Sequence, residues 1–215
     1  MAGQPSSLRR SKTALFVAGL WPVAWLAWAV LRGGLGANPV ATVTTETGTW
    51  TLRFLVLTLL VTPLRRLTGW QSVVRVRRML GLFAFFYASL HFLTYLVLDQ
   101  SLQFRYLAED VARRPFIAAG FFGFLSMVPL ALTSSTEMSR RLGGRRWQRL
   151  HRLVYATALA GAVHYLWLVK VDIRPPLAYG AAVVALLAIR ALYWSAVLPR
   201  ARRARHLPPV SAQAE

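Results

Sequence analysis

The sequence contains no cysteine. This absence excludes disulfide bonds, thiolate metal sites and iron–sulfur clusters with cysteine ligands. A metal bound by this chain must therefore rely on histidine, methionine or oxygen ligands. The chain offers four histidines and four methionines for that purpose.

Acidic residues are scarce, and nucleotide-binding motifs are missing. Seven Asp and Glu stand against 26 Lys and Arg, which gives a formal net charge of +19. No acid lies inside an apolar run, whereas transporters commonly bury carboxylates in their spans. The sequence has neither G-x-G-x-x-G nor a P-loop, so no visible motif binds nicotinamide or ATP. Any electrons that the protein handles must come from a partner or a small diffusible carrier.

Long apolar runs make up most of the chain, which is 56% hydrophobic. Runs of about 17 to 25 apolar residues are long enough to cross a bilayer as helices. The pattern predicts an all-α integral membrane protein, a six-helix bundle spanning residues 13–198. A segment of residues 1–12 precedes it, and a basic tail of residues 199–215 is expected to be disordered. The six predicted spans are 13–31, 50–64, 79–98, 116–132, 151–169 and 177–198.

The cations are unevenly distributed between the connections. Eighteen of the 26 lie before the first span, after the second and fourth spans, and in the tail. Lys and Arg are retained on the cytoplasmic side, so both termini are predicted to be cytoplasmic. These arginines alternate with membrane spans and never form one continuous face. Membrane lipid, and not nucleic acid, is therefore the expected surface contact.

Two histidines are predicted to share one depth in the membrane. At a rise of 1.5 Å per residue, His91 lies about 18 Å along the third span from its cytoplasmic end, and His164 lies about 20 Å along the fifth. Two neutral imidazoles on neighbouring helices can hold a haem iron from its two faces. The alternative is that each ring only hydrogen-bonds a polar group of another helix. The matched depth favours the haem interpretation. The fourth histidine, His206, is expected to be solvated in the tail.

His151 is harder to place. It lies 13 residues before His164, which is about 220° around an ideal helix, so a bend or local unwinding would be needed to align the two. With Arg77, Arg78 and Arg152 it suits an anionic group, such as a flavin phosphate or haem propionates, or the proton chemistry of a quinone. The alternative is an interfacial residue near lipid headgroups.

Arg53 is the charged residue of the predicted second span, near its periplasmic end. One interpretation is that it pairs with the propionates of the proposed haem. The other is that its long side chain reaches out to the membrane interface and carries no ligand.

Three segments of the chain resemble a known family. They are TGTWTLRFLVLTLLVTPLRRLTGW (47–70), RVRRMLGLFAFFYASLHFLTYLVLD (75–99) and WQRLHRLVYATALAGAVHYLWLVK (147–170). They resemble the MsrQ or YedZ family, the haem-binding membrane subunit of the bacterial periplasmic methionine sulfoxide reductase system. The resemblance implies a b-type haem protein of the inner membrane that carries electrons from the quinone pool to a periplasmic molybdenum-containing reductase. A flavin mononucleotide is also implied, as are His91, His164 and His151 as metal ligands.

That family is similar to the membrane domain of ferric reductases and NADPH oxidases, where histidines on spans three and five hold two stacked haems. This chain keeps the spacing of 13 on span five but has only His91 on span three, which leaves the second haem open. Two other functions remain open at this point. One is a haem-free, proton-coupled six-helix transporter that uses His91 and His164. The other is a self-contained ferric reductase, which the missing nucleotide domain disfavours.

Overall fold

The computed structural model describes residues 6–205, with side chains described for residue 10 and for residues 12–195 except 194. His206 and the rest of the tail beyond it lie outside the described residues. Within the described range every regular element is a helix, which confirms the all-α prediction. The α-helices are α1 Ser6–Leu31, α2 Pro39–Thr68, α3 Arg77–Thr94, α4 Phe104–Arg113, α5 Pro115–Leu132, α6 Thr136–Leu142, α7 Gly144–Leu150, α8 Leu153–Leu168 and α9 Arg174–Arg205. A 3₁₀ segment, Gln71–Val76, leads into α3, and a π-helical turn, Tyr95–Asp99, ends it.

Five helical stretches in the described part of the chain are long and apolar enough to cross a membrane. They are Lys12–Leu31, Pro39–Thr68, Gln71–Asp99, Pro115–Leu132 and Arg174–Tyr193, and they coincide with five of the six predicted spans. The predicted fifth span corresponds to α8, whose 16 residues are fewer than a helix usually needs to cross a bilayer. The tail boundary expected after residue 198 falls inside α9.

Helix α2 is much longer than its predicted span of residues 50–64. It begins at Pro39, where the Asn38 side chain accepts a hydrogen bond from the Ala41 N–H. The additional turns are rich in threonine, whose hydroxyls bond the carbonyl four residues earlier, as Thr44 and Thr47 do. These bonds satisfy the hydroxyls within the helix, so a polar-looking stretch continues an apolar one.

The predicted fifth span was expected to start at His151, and the structure corrects this. Helix α7 ends at Leu150, His151 and Arg152 form a turn, and α8 begins at Leu153. The Arg152 N–H bonds the Arg149 carbonyl, three residues back, which is the tightened geometry of a helix end. His151 therefore lies in a turn, outside the helix that carries His164.

Helices α2, α3, α5 and α8 form the centre of the bundle. Aromatic rings pack between α2 and α3: Phe54 stacks on Phe83 and on Tyr87, with ring centroids 5.3 and 5.4 Å apart. On α8, Ala158 is fully buried in the same cluster. We refer to the end of the bundle that carries α4 as the α4 end, and to the opposite end, which carries α6 and α7, as the α6 end.

Tyr87 also fastens α1 to the bundle. Pro22 lies inside α1, and the Tyr87 hydroxyl reaches the neighbouring turn, where it donates to the Gly19 carbonyl at 2.8 Å and accepts from the Val23 N–H at 3.2 Å. Gly19 allows α1 to lie close to α3, because a Cβ at this position would be 2.5 Å from the Phe83 ring. The tyrosine hydroxyl thus bridges the carbonyl of Gly19 and the N–H of Val23, four residues apart beside the proline.

Candidate functional site

A cavity of about 430 Å³ lies between α2, α3, α5 and α8 and extends to the α4 end. Its size is within the usual range of small-molecule sites, about 300 to 1,000 Å³. Most of its lining is apolar, and both His91 and His164 line it. The structure therefore brings together, in one cavity, the two histidines whose depths match in the sequence.

His91, in the last turn of α3, is anchored to α2. Its Nδ1 lies 2.8 Å from the Thr44 carbonyl oxygen, so Nδ1 carries the proton and donates. The ring lies tight against Gly48: a Cβ there would be 3.0 Å from the imidazole. The glycine lets the ring reach the backbone of α2.

His164, on α8, is anchored to α5 in the same manner. Its Nδ1 donates to the Phe116 carbonyl oxygen at 2.6 Å. A Cβ at Gly120 would lie 2.7 Å from that Nδ1, closer than real Cβ contacts occur. Any side chain at this position would displace the imidazole.

The two imidazole rings lie close together in the cavity: their centroids are 6.0 Å apart and their planes are inclined at 79° to each other. An imidazole nitrogen binds a first-row metal at about 2.0 Å, so two rings on opposite sides of one metal have centroids about 6 Å apart. Both Nδ1 atoms are engaged by carbonyls, and no hydrogen bond in the described part of the chain involves either Nε2. The backbone hydrogen bonds thus explain one nitrogen of each ring and leave the other available to a ligand.

A second orphaned group lines the cavity. Thr157 is 1% exposed, and its hydroxyl has no hydrogen-bond partner. Other buried threonines, such as Thr58 and Thr94, bond a carbonyl of their own helix. Because buried polar groups are rarely left unpaired, the Thr157 hydroxyl indicates that the cavity holds water or a ligand. The described residues contain no group of three or more His, Asp or Glu side chains that could hold a metal.

A hydrogen-bond network closes the α4 end of the cavity around Asp110. Tyr95 and Gln100 donate to one carboxylate oxygen, at 2.6 and 3.0 Å, and Arg114 pairs with the other at 3.2 Å. Tyr95 and Arg114 also line the cavity. This network joins the helix of His91 to the helix whose carbonyl holds His164.

Arg53 does not line the cavity. Its Nε donates to the Tyr179 hydroxyl at 3.1 Å, and its guanidinium lies over the Trp50 ring, 4.4 Å from the centroid. The side chain is half-buried between α2 and α9. Arg53 therefore lies outside the lining of the cavity that holds the two histidines.

His151 belongs to a different cluster, at the α6 end. Its ring stacks on Trp147 with centroids 3.9 Å apart, and its Nε2 lies 3.1 Å from the Thr133 hydroxyl. That hydroxyl donates to the Pro129 carbonyl at 2.6 Å, so the histidine Nε2 is the donor in their contact. Burial, together with the Arg77 guanidinium, lowers the pKa of His151 below its ordinary value. The lowered pKa therefore favours the neutral imidazole at pH 7.

The three arginines grouped with His151 in the sequence behave differently in the structure. Arg77 is half-buried and acts electrostatically on His151 and also on Arg190 of α9. Arg152 is exposed and acts on Arg190, and Arg78 is exposed. Arg66, Arg77 and Arg152 all act electrostatically on Arg190, and of these Arg77 also acts on His151.

The sequence pointed to the two histidines but not to what holds them. Gly48 and Gly120 give no visible signal beyond being glycines: Gly48 lies in the threonine-rich start of α2, and Gly120 lies in an apolar run. Glycine in a helix interior costs about 1 kcal/mol relative to alanine, so its presence there asks for a packing reason. The close contacts with the imidazoles supply that reason.

Comparison with known proteins identifies the class. Residues 47–162 match the family model described as ferric reductase like transmembrane component, which spans α2 to α8. Together with the five apolar helices, this match makes the chain a multi-pass membrane protein of that class.

Curated relatives identify the particular family, and all three cited here are named protein-methionine-sulfoxide reductase heme-binding subunit MsrQ. The protein of Herminiimonas arsenicoxydans is 49% identical over 193 residues, which cover 89% of this chain and 88% of the relative. That of Azospira oryzae is 51% identical over 187 residues, covering 86% and 80%. That of Xanthomonas euvesicatoria pv. vesicatoria is 44% identical over 218 residues, covering 99% of both. No solved structure matches the chain. The chain belongs to the MsrQ family, as the three sequence segments predicted.

Proposed function

We propose that the protein binds one b-type haem between His91 and His164 and uses it to carry electrons across the membrane. The observation that supports this most directly is the ring pair, with centroids 6.0 Å apart and both Nε2 atoms without a protein partner. The orphaned Thr157 hydroxyl is a second sign that the cavity takes a ligand. The relatives are named heme-binding subunits, which agrees with that ligand.

The residues of the chain have separable tasks in this function. The Thr44 and Phe116 carbonyls fix the Nδ1–H tautomers and orient the rings, and hydrogen bonds of this kind raise the donor strength of the opposite nitrogen. The apolar lining limits water around the two rings. A bound b-type haem supplies a reversible one-electron couple whose potential depends on its axial ligands and burial.

The direction of transfer follows from the proposed orientation. With the arginine-rich connections and both termini cytoplasmic, the α4 end and the histidine pair lie toward the periplasm of a bacterial inner membrane. Electrons are then delivered to the periplasmic, molybdenum-containing catalytic subunit of a methionine sulfoxide reductase. The protein is an electron-transfer subunit and leaves the reduction of methionine sulfoxide to that partner.

The donor is assigned to the α6 end. His151 with Arg77, Arg78 and Arg152 is proposed to receive electrons from the quinone pool or from a reduced flavin such as FMN. Supporting this are the Arg77 charge acting on His151 and the convergence of cations around Arg190. Guanidinium groups favour anionic ligands such as a flavin phosphate.

Visible absorption spectra of the purified protein test the haem assignment. The His91→Ala and His164→Ala variants are each expected to lose the low-spin haem spectrum, because either change removes the protein ligand from one side of the iron. His151→Ala is the matched control and is expected to keep that spectrum. A protein that carries no haem, or full low-spin haem in both single variants, would contradict the assignment and favour a haem-free transporter.

A further inference from the structure

One cation lines the cavity among the described residues: Arg114, the residue that immediately precedes α5. It lies two residues before Phe116, whose carbonyl holds His164. Its described ion pair uses Nε, which lies 3.2 Å from Asp110. The terminal guanidinium nitrogens, which carry four further N–H donors, make no described contact with protein.

Asp110 holds Arg114 at the rim of the cavity. The carboxylate of Asp110 is 14% exposed and is fixed from the other side by Tyr95 and Gln100. Because three partners satisfy this carboxylate, it acts as an anchor for Arg114. The outer half of the guanidinium remains free to bind a second carboxylate.

The distribution of polarity in the cavity matches a ligand with carboxylates on one edge. Arg114 and Tyr95 lie at the α4 end, whereas uncharged residues such as Leu52, Leu55 and Met127, together with Thr157, line the interior. A b-type haem has the same asymmetry, with two propionates on one edge and apolar substituents on the opposite edge. Arg53, the arginine that the sequence suggested for this task, does not line the cavity; its guanidinium lies over the Trp50 ring and its Nε donates to Tyr179.

We infer that Arg114 binds the carboxylate edge of the ligand held by His91 and His164, and so orients that edge toward the α4 end. This inference rests on the proposed function, since it names the propionate partner of the same haem. Among the residues that the structure describes, Asp99 is the one acid that lines the cavity, and it is exposed at the same end. Its negative charge opposes carboxylate binding, so its removal should tighten binding.

Titration of the full-length, haem-free protein with two porphyrins tests the inference by affinity, without any activity measurement. The probes are haemin, which carries both carboxylates, and haemin dimethyl ester, in which both are blocked. Wild-type protein should bind haemin about tenfold or more tightly than the ester, because a charge-assisted pair with a guanidinium is lost on esterification. Arg114→Gln should bind both probes equally, at the affinity of the wild type for the ester.

Four further variants separate charge from structure. Arg113→Gln is the adjacent control, because Arg113 pairs with Glu109 on the solvent side of α4 and does not line the cavity. Arg113→Gln and Arg53→Gln should keep the wild-type preference for haemin. Arg114→Lys should retain most of the preference, and Asp99→Asn should increase it.

Several results would overturn the inference. They are an equal affinity of wild-type protein for both probes, loss of the preference in Arg53→Gln but not in Arg114→Gln, or loss of both probes in Arg114→Gln. The last result would mean that Arg114 only supports the fold. Failure of the proposed function is distinguishable, because wild-type protein would then form no low-spin complex with either probe.

Discussion

His91 and His164 are held by the same local arrangement on two different helix pairs. Each Nδ1 donates to a backbone carbonyl that lies four residues, about one helical turn, before a glycine: Thr44 before Gly48, and Phe116 before Gly120. In a helix the carbonyl of residue i accepts from the N–H of residue i+4. The histidine therefore shares a carbonyl with the N–H of the glycine, and the missing side chain makes room for the ring.

The glycines should control the histidine pair without being ligands. Gly120→Ala would place a Cβ 2.7 Å from His164 Nδ1, and Gly48→Ala would place one 3.0 Å from the His91 ring. We expect Gly120→Ala to remove most of the low-spin haem spectrum and Gly48→Ala to shift or weaken it less. Absorption spectra of the purified variants give the measurement. Gly180→Ala on α9 is the control, because a Cβ there has nothing within 4 Å. An unaltered spectrum in Gly120→Ala would show that this glycine does not position His164.

Much of the fold could be predicted from the sequence because membrane spans depend on local composition. The apolar runs predicted the spans, and the rise of 1.5 Å per residue predicted that His91 and His164 share one depth. The start of α2 was missed because its threonines look polar, although their hydroxyls are satisfied within the helix. The amphipathic helix α4 is another element without a long apolar run, so the span pattern did not indicate it.

The details of the site depend on contacts between distant segments and were less predictable. The choice between Arg53 and Arg114 is an example: both lie near the same end of the bundle, but only Arg114 lines the cavity. Arg53 is drawn to Trp50 and Tyr179, and the Tyr179 contact spans 126 residues. No periodicity in the sequence encodes a contact of that range.

Tyr87 should contribute to stability through its two hydrogen bonds to α1. Tyr87→Phe keeps the ring but leaves the Gly19 carbonyl and the Val23 N–H without this partner. We expect the free energy of unfolding to fall by about 1 to 3 kcal/mol, the usual cost of buried groups that lose their partner. Thermal unfolding in detergent measures this, with Tyr106→Phe, at an exposed tyrosine of α4, as the control. Equal melting temperatures for the two variants would show that α1 is held by packing alone.

The orientation can be tested with reporters fused to the full chain or to truncations. Fusions after Arg78 and after Arg205 are expected to report a cytoplasmic location, and one near Glu109 a periplasmic one. The reason is that lysine and arginine are in excess in the connections predicted to be cytoplasmic. Fluorescent-protein and alkaline-phosphatase reporters, which are active on opposite sides of the membrane, provide the measurement. Phosphatase activity from the Arg78 fusion would reverse the orientation and the proposed direction of electron flow.

The proposed donor site is tested at His151, which lies in a turn at the α6 end and does not line the cavity of the histidine pair. His151→Ala is expected to leave the low-spin haem spectrum largely intact but to slow haem reduction by quinol or reduced flavin. Because the lowered pKa favours the neutral form of His151, the substitution mainly removes a hydrogen-bonding ring and not a positive charge. Stopped-flow reduction of the haem by each donor gives the rates.

Thr133→Val is the matched control: it removes the hydroxyl that His151 contacts but keeps the imidazole and its stacking on Trp147. A slow His151→Ala protein beside a nearly normal Thr133→Val protein would assign the effect to the ring itself. If His151→Ala is reduced as fast as wild type by every donor, this turn only anchors the protein at the membrane interface, and electrons enter elsewhere.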